Sequence, residues 1–273
     1  MIKAIVIMIG LFTSVAVQAQ EKWILKSKYL AKSDTVLVFK PKTYRQAKQY
    51  PLVYLLHGYS ENYQQWSKTT DLQKLADQYD FIIVTPDGFV SWYVNSPFDK
   101  RSRYEDFFFE ELVIKVHHSF NIDRRNIFIS GLSMGGYGAL RYFIMHHDYF
   151  NTAGSTSGAL ALDFDNLKTA SLQFFGNKRL TDDLERLLGN HMNHNWNRYS
   201  ISELIKNYPV KKPFLLDCGT EDILFSATLE LKSLADRLKI PITFISQPGN
   251  HDTDYWRKSI EYHFVFFQQN LKV

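Results

Sequence analysis

Three side chains of this sequence could together make an activated nucleophile. Ser133 sits within Gly131-Leu132-Ser133-Met134-Gly135, Asp222 ends the turn Gly219-Thr220-Glu221-Asp222, and His251 follows Gln247-Pro248-Gly249-Asn250. A serine hydroxyl is a weak nucleophile at neutral pH. It needs a base to take its proton and a carboxylate to orient that base. The chain order serine, acid, histidine, with each residue on a loop at the carboxyl end of a strand, belongs to one kind of α/β architecture. Here one helix-like and one strand-like segment separate Asp222 from His251, as that architecture requires.

The surroundings of Ser133 fit a nucleophile elbow. An apolar run, Asn126-Ile127-Phe128-Ile129-Ser130, precedes it, and a helix-like run, Tyr137 to Phe143, follows. Such a turn forces unusual backbone angles on the serine, so only small neighbours fit, and Gly131, Gly135 and Gly136 supply them. The competing reading is a glycine-rich structural turn. Among the nine histidines only His251 follows a strand end through a Pro-Gly turn. His117, His118, His146 and His147 fall on expected helices, His263 on the closing helix, and His191 and His194 in an irregular segment. Asp222 is the expected acid; Asp217, Glu221 and Asp252 are neighbours that otherwise read as solvated loop carboxylates.

The reaction also needs two backbone N–H groups aimed at the oxygen that becomes negative. Met134, directly after the nucleophile, supplies one. The loop after the first central strand, Leu56-His57-Gly58-Tyr59, supplies the other, and we assign it to Tyr59 because Gly58 lets the backbone turn inward. His57 reads as a structural histidine packed beneath the site.

The elements that must carry these residues alternate along the chain. Trp23 to Leu30 and Thr35 to Lys40 predict an antiparallel strand pair. Pro51 to Leu56 is almost wholly apolar, the pattern of a strand buried on both faces. Strands follow at Phe81 to Thr85, Ile127 to Ser130, Thr152 to Ser157, Phe214 to Cys218 and Ile242 to Gln247. Helices are expected at Leu72 to Asp80, Tyr104 to Ser119, after Ser133, at Phe225 to Leu238 and at Tyr255 to Gln269. The pattern predicts a mostly parallel sheet covered by helices on both faces. Residues 162–209 contain no recognisable strand, but carry Phe174, Phe175, Trp196 and Tyr199. They read as a helical, cap-like insertion over the site within a single domain, 20–273.

Residues 1–19 read as a secretory signal peptide. Lys3 gives a positive start, Ala4 to Val17 is apolar, and Val17-Gln18-Ala19 is a small-x-small cleavage site. About fourteen apolar residues are short for a membrane anchor, the alternative, and no later segment is apolar enough to span a bilayer. Cys218 is the single cysteine; it lies in an apolar run and reads as a buried core residue, so stability must come from packing. With 32 basic and 28 acidic residues, and no basic block interleaved with aromatics, nucleic acid is excluded as a partner. No H-E-x-x-H is present, and His191-Met192-Asn193-His194 lacks a third ligand, so we expect neither metal nor cofactor; that short run reads as a polar helix face.

Taken together, Pro51 to Gly58, Ser133-Met134-Gly135-Gly136-Tyr137-Gly138-Ala139, Gly219 to Asp222 and Gly249-Asn250-His251 resemble the esterase D-like branch of the α/β-hydrolases, from about Val36 to Phe267. That branch includes S-formylglutathione hydrolases, tributyrin-type esterases, the feruloyl and acetyl-xylan esterases of carbohydrate esterase family 1, and mycolyltransferases. The resemblance implies Ser133 as nucleophile, Asp222 as acid, His251 as base, and Tyr59 and Met134 as oxyanion donors. Ser91 to Pro97 looks like the branch's substrate-side loop, which implies that Trp92 and Tyr93 line the pocket. The expected activity is that of a secreted or periplasmic serine carboxylesterase acting on a small-molecule or carbohydrate-linked ester. The alternatives are a polysaccharide side-chain esterase of feruloyl or acetyl-xylan type and, in another class, an inactive binding module on a hydrolase scaffold. A thioesterase for S-formylglutathione fits export badly, because that substrate is cytosolic.

Overall fold

The computed structural model describes residues 20–208 and 210–273, so the expected signal peptide lies outside the described residues. Eight strands form one sheet in the order β1-β2-β4-β3-β5-β6-β7-β8. They are β1 (Gln20–Leu25), β2 (Asp34–Phe39), β3 (Tyr50–Leu56), β4 (Ile82–Pro86), β5 (Ile122–Gly131), β6 (Thr152–Thr156), β7 (Phe214–Gly219) and β8 (Ile242–Gln247). β1 and β2 pair antiparallel, β2 runs antiparallel to β4, and every later pairing is parallel. The fold is thus α/β, as the alternating pattern predicts. Two bounds differ from expectation by several residues. β1 ends at Leu25 rather than Leu30, whose backbone instead bridges Ser102. β5 begins at Ile122, because Ile122 already pairs with Tyr50, and the polar stretch Asp123 to Asn126 bulges out before the register resumes at Leu52 and Ile127.

Alternation along β3 sorts its side chains between two cores. Leu52, Tyr54 and Leu56 face one, and Val53 and Leu55 the other. The first core is closed by α3 (Tyr104–Phe107), a π-helical turn at Phe108–Leu112, α4 (Val113–Ser119) and α5 (Met134–Met145). The second is closed by α1 (Gln65–Thr69), α2 (Leu72–Tyr79) and α10 (Thr253–Gln269), through Trp66, Leu75, Trp256, Phe264 and Phe267. α1 is too short to show helical periodicity and was not legible in the sequence.

Between β6 and β7 come α6 (Phe164–Phe175), α7 (Arg179–Leu188), a 3-10 turn at Trp196–Tyr199 and α8 (Ile201–Asn207), with α9 (Phe225–Arg237) after β7. This segment divides in two. α8 packs on α5 and α9 as an ordinary layer helix, while α6 and α7 pack on each other and roof the carboxyl end of the sheet. Their inner residues, Leu167, Ala170, Leu180 and Leu184, join the first core. The stretch His191-Met192-Asn193-His194 is a turn rather than a helix face: Asn190 accepts from the Met192 amide through its side chain and from the Asn193 and His194 amides through its carbonyl, so the chain closes on itself.

Candidate active site

Ser133 stands two residues beyond the end of β5 and one before α5, with φ 54° and ψ −120°. A non-glycine residue in that region carries backbone strain, which its surroundings must hold in place. They do so from three sides. The Ser133 amide donates to the Thr156 carbonyl (3.1 Å), and its own carbonyl accepts from the Tyr137 and Ala159 amides (3.1 Å each). Gly135 fits only because it lacks a side chain: a Cβ there would lie 2.2 Å from the Leu56 carbonyl oxygen. Strand end, serine and helix start are therefore clamped against the exit of β3.

The three chemistry-bearing side chains converge. His251 Nε2 is 3.0 Å from Ser133 Oγ, and His251 Nδ1 is 2.9 Å from Asp222 Oδ2 and 3.1 Å from Oδ1. The Asp222 carboxylate is fully buried and also accepts from the Leu224 amide at 2.8 Å. Burial opposes its charge, yet the hydrogen bond to His251 and the adjacent imidazole outweigh that and hold Asp222 below the usual carboxylate range. The loops bearing acid and histidine are tied to each other: the Glu221 amide donates to the Gly249 carbonyl (3.1 Å), and the Gly249 amide to Glu221 Oε2 (2.8 Å). Of the other carboxylates near Asp222, Asp252 caps α10 by accepting from the Tyr255 amide. The His251 ring lies between Phe174 of α6 (centroids 4.8 Å apart) and Trp256 of α10 (5.1 Å, edge-on).

The loop after β3 closes the other side. A Cβ on Gly58 would lie 3.5 Å from that of Ser133, so the backbone passes directly beside the serine. The Gly58 amide donates to Gln65 Oε1 (2.7 Å). Among the described residues, neither the Tyr59 nor the Met134 amide donates to a protein acceptor. His57 is buried beneath. Its Nε2 accepts from the Gly88 amide (2.6 Å), which leaves Nδ1 as the protonated nitrogen, donating to the Gly58 carbonyl (2.7 Å). The nearby Asp87 is thus close to an unprotonated nitrogen, and the ring is a structural strut.

A cavity of about 250 Å³ opens at Ser133. Trp92 lines it with Tyr59, Leu167, Phe174, Phe175 and Trp256. Tyr93 does not, which corrects the expectation from the sequence. Trp92 and Tyr93 both have positive φ (51° and 54°), and the chain reversal they make buries Tyr93 completely behind the site, where its hydroxyl donates to the His57 carbonyl (2.9 Å).

Asp217 is another correction. It is no solvated loop carboxylate but a fully buried group within β7, bonded to His263 Nε2. Thr156 Oγ1 donates to its Oδ1 (2.6 Å) and Ser259 Oγ to its Oδ2 (2.9 Å), while Ser130 Oγ lies 2.8 Å from His263 Nδ1. This array joins β5, β6, β7 and α10 directly under the Ser133 turn. One signal could have revealed it: an aspartate inside a wholly apolar strand must have a partner. Cys218 beside it is buried as expected, and burial pushes its thiol up, away from the reactive thiolate. No cluster of three or more potential metal ligands occurs among the described residues, and no helix among them is long and apolar enough to cross a membrane.

The family model for esterases matches residues 27–266. An acetyl esterase from Caldicellulosiruptor saccharolyticus is 28% identical over 252 residues, covering 86% of this chain and 92% of that protein. Esterase Rv1288 of Mycobacterium tuberculosis (strain ATCC 25618 / H37Rv) is 33% identical over 160 residues, covering 52% of this chain and 34% of its own length. Among solved structures, a ferulic acid esterase superposes with a TM-score of 0.76 at 23% identity, covering 93% of this chain and 98% of that one. S-formylglutathione hydrolase from Staphylococcus aureus gives 0.76 at 21% identity, with 92% and 98% covered. These likenesses carry the α/β-hydrolase fold, and the family match spans nearly all described residues. The chain belongs to the esterase family and is a hydrolase acting on carboxylic esters.

Proposed function

We propose that this protein is an exported carboxylesterase for short-chain or aryl esters, working through an acyl-enzyme on Ser133. The observation that carries the reading is the unbroken line Asp222–His251–Ser133, with 2.9 and 3.0 Å links, at the mouth of an apolar cavity of about 250 Å³. His251 Nε2 removes the Ser133 proton as Oγ attacks the ester carbonyl. Asp222 keeps the histidine proton on Nδ1 and stabilises the imidazolium that forms. The carbonyl oxygen, now negative, accepts from the amides of Tyr59 and Met134. The alkoxide leaves with the proton held on Nε2, and water repeats the two steps to release the acid. The cavity is walled by α6 and α7, which act as a cap that limits the group bound there. Export rests on the leader-like composition of residues 1–19.

Ser133→Ala is expected to abolish hydrolysis of p-nitrophenyl acetate by the purified protein. Unchanged turnover in that variant removes the reading. Labelling of the wild type by a fluorophosphonate is expected as well; an inactive binding module would not react.

A second reading is favoured by the aromatic lining. Tyr59, Trp92, Phe174, Phe175 and Trp256 surround the cavity, and such faces suit a phenolic acyl group or a sugar. A polysaccharide side-chain esterase would release ferulate from methyl ferulate faster than acetate from a short ester; the reverse order supports the first reading.

A further inference from the structure

The side chain of Tyr59 does something its backbone role does not require. Its hydroxyl donates to the carboxylate of Asp183 and lies 3.2 Å from the Arg179 carbonyl, both on α7. Its ring packs against Phe175 of α6 (centroids 5.6 Å apart), and the Arg179 guanidinium covers both rings, 5.1 Å from Tyr59 and 4.8 Å from Phe175. Burial first, and then the bond to Asp183, push the phenol up to about 12, so it stays a donor throughout the neutral range. The next residue, Ser60, has φ 62°, a strained conformation that needs an external hold. On the Gly58 side that hold is Gln65; on the Tyr59 side, α7 supplies it.

We infer that Tyr59 and Asp183 form a latch by which the α6–α7 cap positions the Tyr59 backbone amide for the developing oxyanion. The inference rests on the acyl-enzyme reading of Ser133. It makes the cap part of the catalytic geometry rather than only a wall of the cavity. Asp183 and the Tyr59 phenol are positioning groups: neither reaches the reacting atoms, and each acts through the amide. Phe174 and Phe175, adjacent at the end of α6, give the cap a foot on either side of the serine, one against His251 and one against Tyr59.

The test compares Tyr59→Phe, Asp183→Leu, Asp183→Asn and the double variant Tyr59→Phe/Asp183→Leu. Readouts are kcat and KM on p-nitrophenyl acetate, and inhibition by a trifluoromethyl ketone, which forms a tetrahedral adduct with an oxyanion. Removing an oxyanion donor outright costs roughly 10²–10³ in kcat, so loosening one is expected to cost about tenfold. Tyr59→Phe and Asp183→Leu should each lower kcat by about tenfold with KM within about twofold, and weaken the ketone by the same factor. Asp183→Asn keeps an acceptor oxygen and should stay within about twofold of wild type. The double variant should be no worse than either single one. Asp183 also pairs with Arg186 (2.7 Å), so Tyr59→Phe leaves no orphaned charge. Wild-type kcat and ketone affinity in Tyr59→Phe or Asp183→Leu, even with a lowered melting temperature, overturn the latch, as do multiplicative losses in the double variant. If Tyr59→Phe does not fold, Asp183→Leu decides alone. Failure of the latch leaves fluorophosphonate labelling at its wild-type rate, whereas failure of the underlying reading abolishes labelling in every variant and in wild type.

Discussion

Replacing Asp222 by asparagine inverts the histidine beside it. In the wild type, Oδ1 accepts the Leu224 amide at 2.8 Å, and Oδ2 is the oxygen nearer His251 Nδ1, at 2.9 Å. Asparagine has one oxygen and one amino group to place. The Leu224 amide demands the oxygen; reversing the side chain would set donor against donor in a fully buried position, at about 1–3 kcal/mol. The amino group therefore faces Nδ1, which must accept, and the ring proton moves to Nε2. Nε2 lies 3.0 Å from Ser133 Oγ and would now be a donor to the group whose proton it should remove. A wrong tautomer of this kind costs on the order of 10⁴ in kcat, or about 5 kcal/mol of transition-state stabilisation. KM should change little, because the cavity is untouched. The assay is steady-state hydrolysis of p-nitrophenyl acetate near pH 7.5, with fluorophosphonate labelling rate as a second measure of nucleophilicity. Asp252→Asn, which alters only the cap of α10, is the control and should keep kcat within about threefold. A kcat for Asp222→Asn within tenfold of wild type, or a 10⁴-fold loss in Asp252→Asn, refutes this reasoning.

His263→Leu leaves the buried Asp217 carboxylate without its histidine and should destabilise the fold by about 3–5 kcal/mol, read as a lowered urea midpoint at pH 7. Glu105 accepts from Arg141 (2.7 Å) and lies 2.8 Å from His146 Nε2; burial works against its charge, but the two partners outweigh it and hold its carboxyl below the ordinary range. A depressed carboxylate contributes stability that is fully present above its unfolded pKa, near 4, and is lost as pH falls through the lower folded value. Glu105→Gln should therefore cost about 3 kcal/mol at pH 7 and flatten the loss of stability between pH 5 and 3, followed by urea unfolding across that window. Phe174→Ala removes a ring that both walls the cavity and packs on His251, so the ratio of kcat/KM for p-nitrophenyl hexanoate to acetate should rise by roughly tenfold; an unchanged ratio would place the acyl group elsewhere.

The sheet and the convergence of Ser133, Asp222 and His251 were legible because both depend on local patterns. Apolar runs of strand length alternating with helix-length segments leave few arrangements, and in a parallel sheet the loops after successive strands fall at one edge. Small residues at a sharp turn are equally local: Gly135 follows from the close approach of β3, whatever lies elsewhere. What was not legible is pairing between distant residues of common types. Tyr93 sits beside Trp92 in a loop resembling a substrate-side loop, and only the consecutive positive φ angles decide which ring meets the cavity. Tyr59 and Asp183 carry no mark of each other in sequence.

Asp217 lies between these cases, and it shows where such a reading can be sharpened. Its run, Phe214-Leu215-Leu216-Asp217-Cys218, is buried throughout. A carboxylate there is affordable only with partners waiting on neighbouring elements, so the sequence already implied a second polar array in the core. His263 was the histidine to pair with it, because α10 is the helix that crosses β6 and β7 from the second core. The array also explains why the Ser133 turn can keep its strained angles. Thr156, whose carbonyl takes the Ser133 amide, has its hydroxyl anchored on Asp217, and Asp217 offers its own carbonyl to the Ser157 amide. The floor of the Ser133 turn is thus held by a buried network, and the strain at Ser133 is offset by the packing beneath it.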